Sequence, residues 1–265
     1  MLFLAITGVA IASSAQKPAP PTNLHVGQDY PDASNTGVPP GTVLTASGSL
    51  TVTTAGAIID ARDISGSLTI NAPNVTVRRT RIRSTDWVLV RSNSTGFILE
   101  DSEIDCMGAN RDGMDMNRGA IVRRVNVHGC ENGFNVSGSG TLTDSFIHDL
   151  VTANGAHTDG AQFNQGASDI VFRHNTFLSV SNSTSCIIMW DGGGAQNARV
   201  WIEDNRLIGT GTAFPLYTPR SPGSSDVYIN NNRFMPGVYG GYLGGPTTYV
   251  TEFKGNVRDD NGNPL

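Results

Sequence analysis

At 265 residues the chain is long enough for one large domain or two small ones, and length alone does not choose between them. Only 15% of residues are charged and 31 are glycine, which suits short strands and tight turns better than long helices and points to an all-β fold. With 18 Lys+Arg against 23 Asp+Glu the net charge is -5, so the basic footprint that a phosphate backbone requires is missing and nucleic acid is excluded as an expected partner.

Residues 1–15 read as a secretory signal: an apolar run from Leu2 to Ala12 precedes Ser13 and Ala15 at the spacing of a small-residue cleavage site. No Lys or Arg precedes the run, which leaves an uncleaved anchor or a mis-assigned start open as alternatives. No later stretch is long and apolar enough to span a bilayer. The mature chain is therefore expected to be secreted or held at the cell surface, as a monomer and outside the membrane. Residues 16–40, rich in Pro, Asn, Asp and Gly, form an extended lead segment, and residues 41–265 form the folded domain.

From Val75 onward short apolar segments recur with one shape: 75–77, 97–99, 120–122, 141–142, 170–172, 200–202, 227–229 and 251–253. A polar corner follows each, then a second apolar position: Ile82, Ile104, Val127, Ile147, Phe177, Leu207 and Phe234, separated by 22, 23, 20, 30, 30 and 27 residues. A third segment completes each turn ("WVLV", "GMDMN", "GFNVS", "GAQFN", "CIIMW", "FPLY"). A period of this length means a solenoid with three strands per coil. Its third strands stack Val88, Met114, Phe134, Ala161, Ile187 and Phe214 inward, with Val90, Met116, Val136, Phe163, Met189 and Leu216 beside them. Cys106 and Cys130 follow equivalent strands of adjacent coils, which predicts a disulfide, while Cys186 precedes an inward position and is expected to be buried.

The coil pattern over residues 45–258, the recurring Asn175, Asn205, Asn232 and Asn256 at one corner, and the "DASNTGVPPGT" lead resemble the right-handed parallel β-helix family that contains pectate lyases, alginate lyases and polygalacturonases. The resemblance implies a single-stranded right-handed parallel β-helix of three sheets. It also implies that the strand after the long turn, here within "HTDGAQFNQ" at 157–165, belongs to the substrate-binding sheet.

Equivalent residues in successive coils form columns. One corner column, Arg79, Asp101, Arg124, Asp144, His174 and Asp204, alternates in sign and reads as structural pairing, with His174 in a cation's place. The Asn column reads as a turn ladder, since Asn tolerates a left-handed corner and its amides bond up and down the stack. Lys254 falls in a third structural column with Arg173, Glu203 and Asn230.

The third-strand column differs. Leu89, Asp115, Asn135, Gln162, Ile188 and Pro215 are read as its outward positions, Asp112, Asn132 and Asp159 lie at the strand starts, and Asn117, Ser137, Asn164, Trp190 and Tyr217 lie at the ends. Polar groups concentrate here without alternating charge. The Asp-Gly steps in "RDGMD" and "HTDGA" have a plain structural reading, a glycine relieving crowding and an Asp satisfying a turn. Two such steps on one face beside His157, Arg118, Trp190, Asp191, Tyr217 and Arg220 make a working site the better expectation. Trp190 and Tyr217 suit the face of a sugar.

Three functions are compatible with this face. A lyase cleaving a uronic-acid polysaccharide (alginate- or pectate-like) by β-elimination needs a base and a cation near the substrate carboxylate. His157 is the preferred base with Tyr217 as the other candidate, Asp159 its orienter or a metal ligand, and Arg220 or Arg118 the neutraliser; Asp112, Asp115 and Asp159 are candidate ligands for Ca²⁺. A glycoside hydrolase of polygalacturonase type would use Asp112 and Asp159 as acid and base. Against it, "RDGMD" is present, while Gly-His-Gly and Arg-Ile-Lys elements are not. A non-catalytic glycan-binding or structural β-helix is the third. The near absence of lysine, only Lys17 and Lys254, departs from lyase relatives that neutralise with a lysine.

Overall fold

The computed structural model describes residues 29–152, 157–164, 166–179, 183–189, 196–220 and 222–265. The expected signal at 1–15, most of the lead segment, and Trp190 and Asp191 lie outside them. Strands run from Thr45 to Arg258, and every third one joins the same sheet. The result is a parallel β-helix of three sheets with parallel pairing between neighbouring coils throughout. Among the described residues the only helical element is a 3-10 turn at Thr247–Tyr249. No helix among them is long and apolar enough to cross a membrane.

The three strand types sort as the repeat predicts. A back sheet contains Ile98–Glu100, Ala120–Arg123, Ser168–Arg173 and Ala198–Glu203; a side sheet contains Glu103–Asp105, Asn126–His128 and Thr176–Leu178; a front sheet contains Asp112–Met116, Asn132–Val136, Asp159–Phe163 and Ser185–Met189. Their inward Val, Ile, Leu, Phe and Met side chains fill one continuous core, with Phe97, Phe134, Phe163, Phe172, Phe177 and Phe234 fully buried. Each buried side chain of this size contributes about 1.5–3 kcal/mol through removal from water, which is why period-two alternation fixes the faces.

The corner between back and side sheets is a single residue in the left-handed region: Arg79, Asp101, Arg124, Asp144, His174, Asp204 and Asn231 all have φ between 48° and 58°. This corrects one expectation. The ladder asparagines do not take the left-handed position; the residue before each of them does. Asn175, Asn205, Asn232 and Asn256 point inward, and each side-chain amide donates to a backbone carbonyl one coil back and, for the first three, to the next amide oxygen at 2.9–3.1 Å. Each amide oxygen in turn accepts a backbone N–H from the coil before, as from Ser145 to Asn175 at 3.0 Å. Earlier coils use Ser145, Ser102 and Thr80 for the same purpose. Outside this ladder the alternating charges pair as read from the sequence: Arg124 with Asp101 at 2.6 Å and His174 with Asp144 at 2.7 Å, while Arg79 turns to Asp60.

The lead segment docks along the side sheet. The Gly37 N–H donates to the Arg124 carbonyl, and Tyr30 donates to Asp204 at 3.2 Å while stacking on His174 with ring centroids 5.4 Å apart. Tyr30 is what buries His174. Cys106 and Cys130 form the expected disulfide, with Cα atoms 4.8 Å apart, and Cys186 is a buried free thiol.

The front sheet departs from the predicted register at both ends by two residues. Val90, not Val88, pairs with Met114, and Leu216, not Phe214, pairs with Ile187. The outward column is therefore Arg91, Asp115, Asn135, Gln162, Ile188 and Tyr217, so Arg91 and Tyr217 replace Leu89 and Pro215. A slip of two preserves the inward and outward alternation, so hydrophobic pattern alone does not detect it.

Candidate functional site

The front strands begin with a pair of residues that do different work. Gly113, Gly133 and Gly160 pack against the backbone of the next coil, where a Cβ on Gly113 would lie 2.6 Å from the Gly133 carbonyl oxygen and one on Gly133 equally close to that of Gly160. Crowding thus explains the glycines, as the plain reading held. It does not explain the residues before them. Asp112, Asn132, Asp159 and Ser185 form a column of polar groups rather than turn caps.

Asn132 is the middle of this column. Its Nδ2 donates to Asp112 Oδ1 at 2.9 Å and its Oδ1 accepts the Asp159 backbone N–H at 3.0 Å. Asn135 donates to the other Asp112 oxygen at 3.3 Å and accepts from Asn164. Both carboxylate oxygens of Asp112 are thereby engaged.

Asp159 is fully buried, with one oxygen accepting from Ser185 Oγ at 2.5 Å. Its Oδ2 has no hydrogen-bond partner among the described residues. Burial pushes its pKa up to about 7; the Ser185 hydrogen bonds oppose this and the Glu131 charge adds to it. Asp159 lines a cavity of about 250 Å³ with His157, Gln162 and Ile188. A buried acid that holds its proton near neutrality and opens on a cavity can donate a hydrogen bond to an anion or act as a general acid.

The expected orienting contact is not made. Asp159 bonds to Ser185, and His157 stands exposed at the cavity mouth with no hydrogen bond to Asp159. The acid electrostatically coupled to His157 is Glu131, whose carboxyl is itself raised, first by burial and then by Asp112, against the pull of Arg111 and His157. Glu131 was not picked out from the sequence, although its place directly before the Asn132-Gly133 step could have marked it. Asp115, next to Arg91 at 4.0 Å, is also raised, chiefly by burial and then by Asp112.

Tyr217 lies two rungs beyond Gln162 in the outward column, with the Arg220 guanidinium 5.4 Å from its ring centroid. Burial raises the Tyr217 hydroxyl pKa, Arg220 pulls it down, and the charge of Asp159 reaches it. Gly244 on the next coil leaves room for this ring, since a Cβ there would meet it at 2.5 Å. Arg118 is not part of the cavity: it occupies an exposed left-handed turn beyond its strand, with φ 55°. Trp190 and Asp191 lie outside the described residues. Lys254 pairs with Asn230 on the back sheet, away from this face.

Asp112, Asp115 and Asp159 do not converge as a Ca²⁺ site, because Asn132 occupies the rung between the first and the last and Asn132 and Asn135 take up the Asp112 oxygens. Among the described residues the gathered metal-ligand types are Glu103, Asp105 and His128 on the side sheet. They continue a charge ladder in which Asp63 meets Arg81 and Arg83, and Glu103 and Asp105 meet His128 at 3.3 and 3.6 Å. A larger groove of about 690 Å³ runs under Tyr30. Its arginines, Arg206 and Arg233, are already bound to Asp259, so it offers fewer free groups than the smaller front cavity.

A scan against protein-family models gives no match, and a search of curated proteins gives none either. The likeness to polysaccharide-cleaving β-helices therefore rests on coil architecture, and architecture alone does not fix chemistry.

Proposed function

We propose that the front sheet binds an acidic polysaccharide and cleaves it by β-elimination, in a protein exported to the cell exterior. The observation that carries this reading is Asp159, fully buried, with an oxygen unpartnered among the described residues and a pKa pushed up to about 7 by burial, on a cavity shared with His157. A protonated carboxyl facing a uronate carboxylate donates a hydrogen bond and offsets its charge without a second full charge in the site. That offset makes the neighbouring C–H more acidic. His157 takes this proton, the electron pair forms the new carbon–carbon double bond, and the C–O bond to the leaving sugar breaks. Tyr217 supplies the proton to the departing oxygen, and Arg220 presents its fork to the substrate carboxylate.

The hydrolase reading has weaker support. Asp112 and Asp159 stand two rungs apart, about 9.6 Å, at the upper limit for an inverting pair. Asp112 also spends both oxygens on Asn132 and Asn135. A purely structural β-helix has no use for an unpartnered buried carboxyl oxygen, which costs about 1–3 kcal/mol. The Cys106–Cys130 disulfide supports the exported setting. Incubation with a panel of polyuronates separates the readings: unsaturated product absorbing at short ultraviolet wavelength supports elimination, reducing ends without it support hydrolysis, and neither supports binding alone.

A further inference from the structure

Three rungs from Asp159 towards the N-terminal end, the front sheet carries an exposed aromatic ring that the chemistry above does not use. Trp87 is 67% exposed. The Arg111 guanidinium lies 5.3 Å from its ring centroid. Arg111 is held in place by two backbone carbonyls, its Nε donating to Thr85 at 2.8 Å and its Nη1 to Asn110 at 2.7 Å. Among the described residues no partner accepts from its Nη2. The indole face is thus open to solvent beside a guanidinium whose hydrogen bonds, among the described residues, go to neutral carbonyls rather than to a carboxylate.

The two residues are in line with the cavity. The Trp87 carbonyl accepts from the Asp112 N–H, the Arg111 carbonyl accepts from the Glu131 N–H, and Asn132 accepts from Asp159, so Trp87, Arg111, Glu131 and Thr158 follow one another on successive coils. With about 4.8 Å per rung, Arg111 stands about 10 Å and Trp87 about 14 Å from the Asp159 level. One rung is comparable to the length of one sugar in a stretched polysaccharide. Charge continuity also links the two places, since Glu131 senses both Arg111 and His157.

We infer that Trp87 and Arg111 form a distal subsite for an acidic polysaccharide, where one sugar stacks on the indole and its carboxylate pairs with the guanidinium, two to three units from the sugar at Asp159. An indole face suits the C–H face of a sugar ring, and a guanidinium fork suits a carboxylate. The inference rests on the proposed polyuronate reading of the front sheet, and it makes the binding site longer than the reacting centre requires.

Calorimetric titration of the full chain carrying His157→Ala with size-defined oligouronates, disaccharides and hexasaccharides, tests it with turnover slowed by about two orders of magnitude. Trp87→Ala and Arg111→Gln added singly are expected to weaken hexasaccharide binding about tenfold each and to leave disaccharide binding unchanged. Equal hexasaccharide affinity in all three proteins overturns the subsite, as does an equal loss for both lengths or no hexasaccharide binding by the parent. If no polyuronate yields unsaturated product with the wild-type chain while hexasaccharide binding depends on Trp87 and Arg111, elimination falls and the subsite stands. Product formation with indifferent variants gives the reverse result.

Discussion

Two buried polar stacks climb this solenoid at the same period. At the back corner, Asn175, Asn205, Asn232 and Asn256 are almost completely buried, and each amide reaches a carbonyl and a neighbouring rung. On the front sheet, Asp112, Asn132, Asp159 and Ser185 also stack rung on rung, yet the chain of hydrogen bonds stops at Asp159 Oδ2. The first stack is neutral and closed. The second holds one carboxyl, Asp159, whose ionisation is displaced, and ends on a cavity. A repeat fold can place polar groups in its interior at little net cost where every donor finds an acceptor, so a rung left open marks a place where something other than stability is served.

The sharpest way to break that contrast is through turnover. His157→Ala and Asp159→Ala are each expected to lower the rate on the true substrate by about two orders of magnitude or more with the fold intact, as steady-state kinetics beside circular dichroism would register. Near-normal rates in both would reduce the front stack to a second structural ladder. Asp159→Asn keeps a donor at the same place. Its residual rate should no longer fall as pH rises through about 7, where wild-type Asp159 loses its proton.

On the closed stack the large effect is on stability. Asn205→Ala strands the carbonyls of Phe172 and Glu203 and the N–H of Asn175, and should cost on the order of 3–5 kcal/mol in urea unfolding. A loss below 1 kcal/mol would show that water replaces the amide and that the stack is not closed in the sense used above.

For Asp159 the sign on stability is opposite. Its folded pKa, about 7, lies above the ordinary 3.8, so the fold is favoured by this group at low pH and loses that favour as pH rises from about 4 to 7. Asp159→Asn should therefore unfold at higher temperature than wild type at pH 8 and at nearly the same temperature at pH 4, a difference of at most about 4 kcal/mol. Equal melting temperatures at pH 8 would mean that the carboxylate is solvated after all.

Smaller effects belong to the side-sheet histidines. His128 has its pKa raised by its hydrogen bond to Glu103 and by the charges of Asp105, Glu103 and Asp149, with burial opposing. Its stabilising contribution is fully present below the unfolded value near 6.5 and disappears as pH rises through the folded value. The stability gap between wild type and His128→Gln should close between pH 5.5 and pH 8.5 in urea titrations. His174→Ala, which removes the Asp144 pair and the ring under Tyr30, should cost about 1 kcal/mol and leave turnover unchanged.

Much of this was legible in the order of residues. Three strands per coil, the core columns, the alternating corner charges, the disulfide and the polar third-strand face all follow from period and alternation, because a solenoid stacks each coil on the one before and sequence neighbours at the repeat distance become spatial neighbours. Local turn chemistry differs by one place: the left-handed residue is the one before each Asn (His174, Asp204, Asn231 and Gly255), since the Asn amide is needed inside to satisfy backbone groups of the adjacent coil. The two-residue slips at Val88 and Phe214 were invisible for a different reason. Alternation repeats every second residue, so only loop lengths and packing choose between registers that share a polarity.

Which carboxyl is buried is a further property that residue order does not carry. Asp112 and Asp159 occupy the same motif position before a glycine, and nothing in the Asp-Gly pair distinguishes them. The tertiary structure separates them through neighbours from other coils: Asn132 and Asn135 hold Asp112 with both oxygens occupied, while Asp159 meets one hydroxyl from Ser185 and is shut off from water. Sequence determined the periodicity, because hydrophobic burial acts on every coil alike. Only the folded stack decided which Asp is shut off from water with an oxygen left open, because burial and hydrogen bonding depend on groups twenty or more residues away.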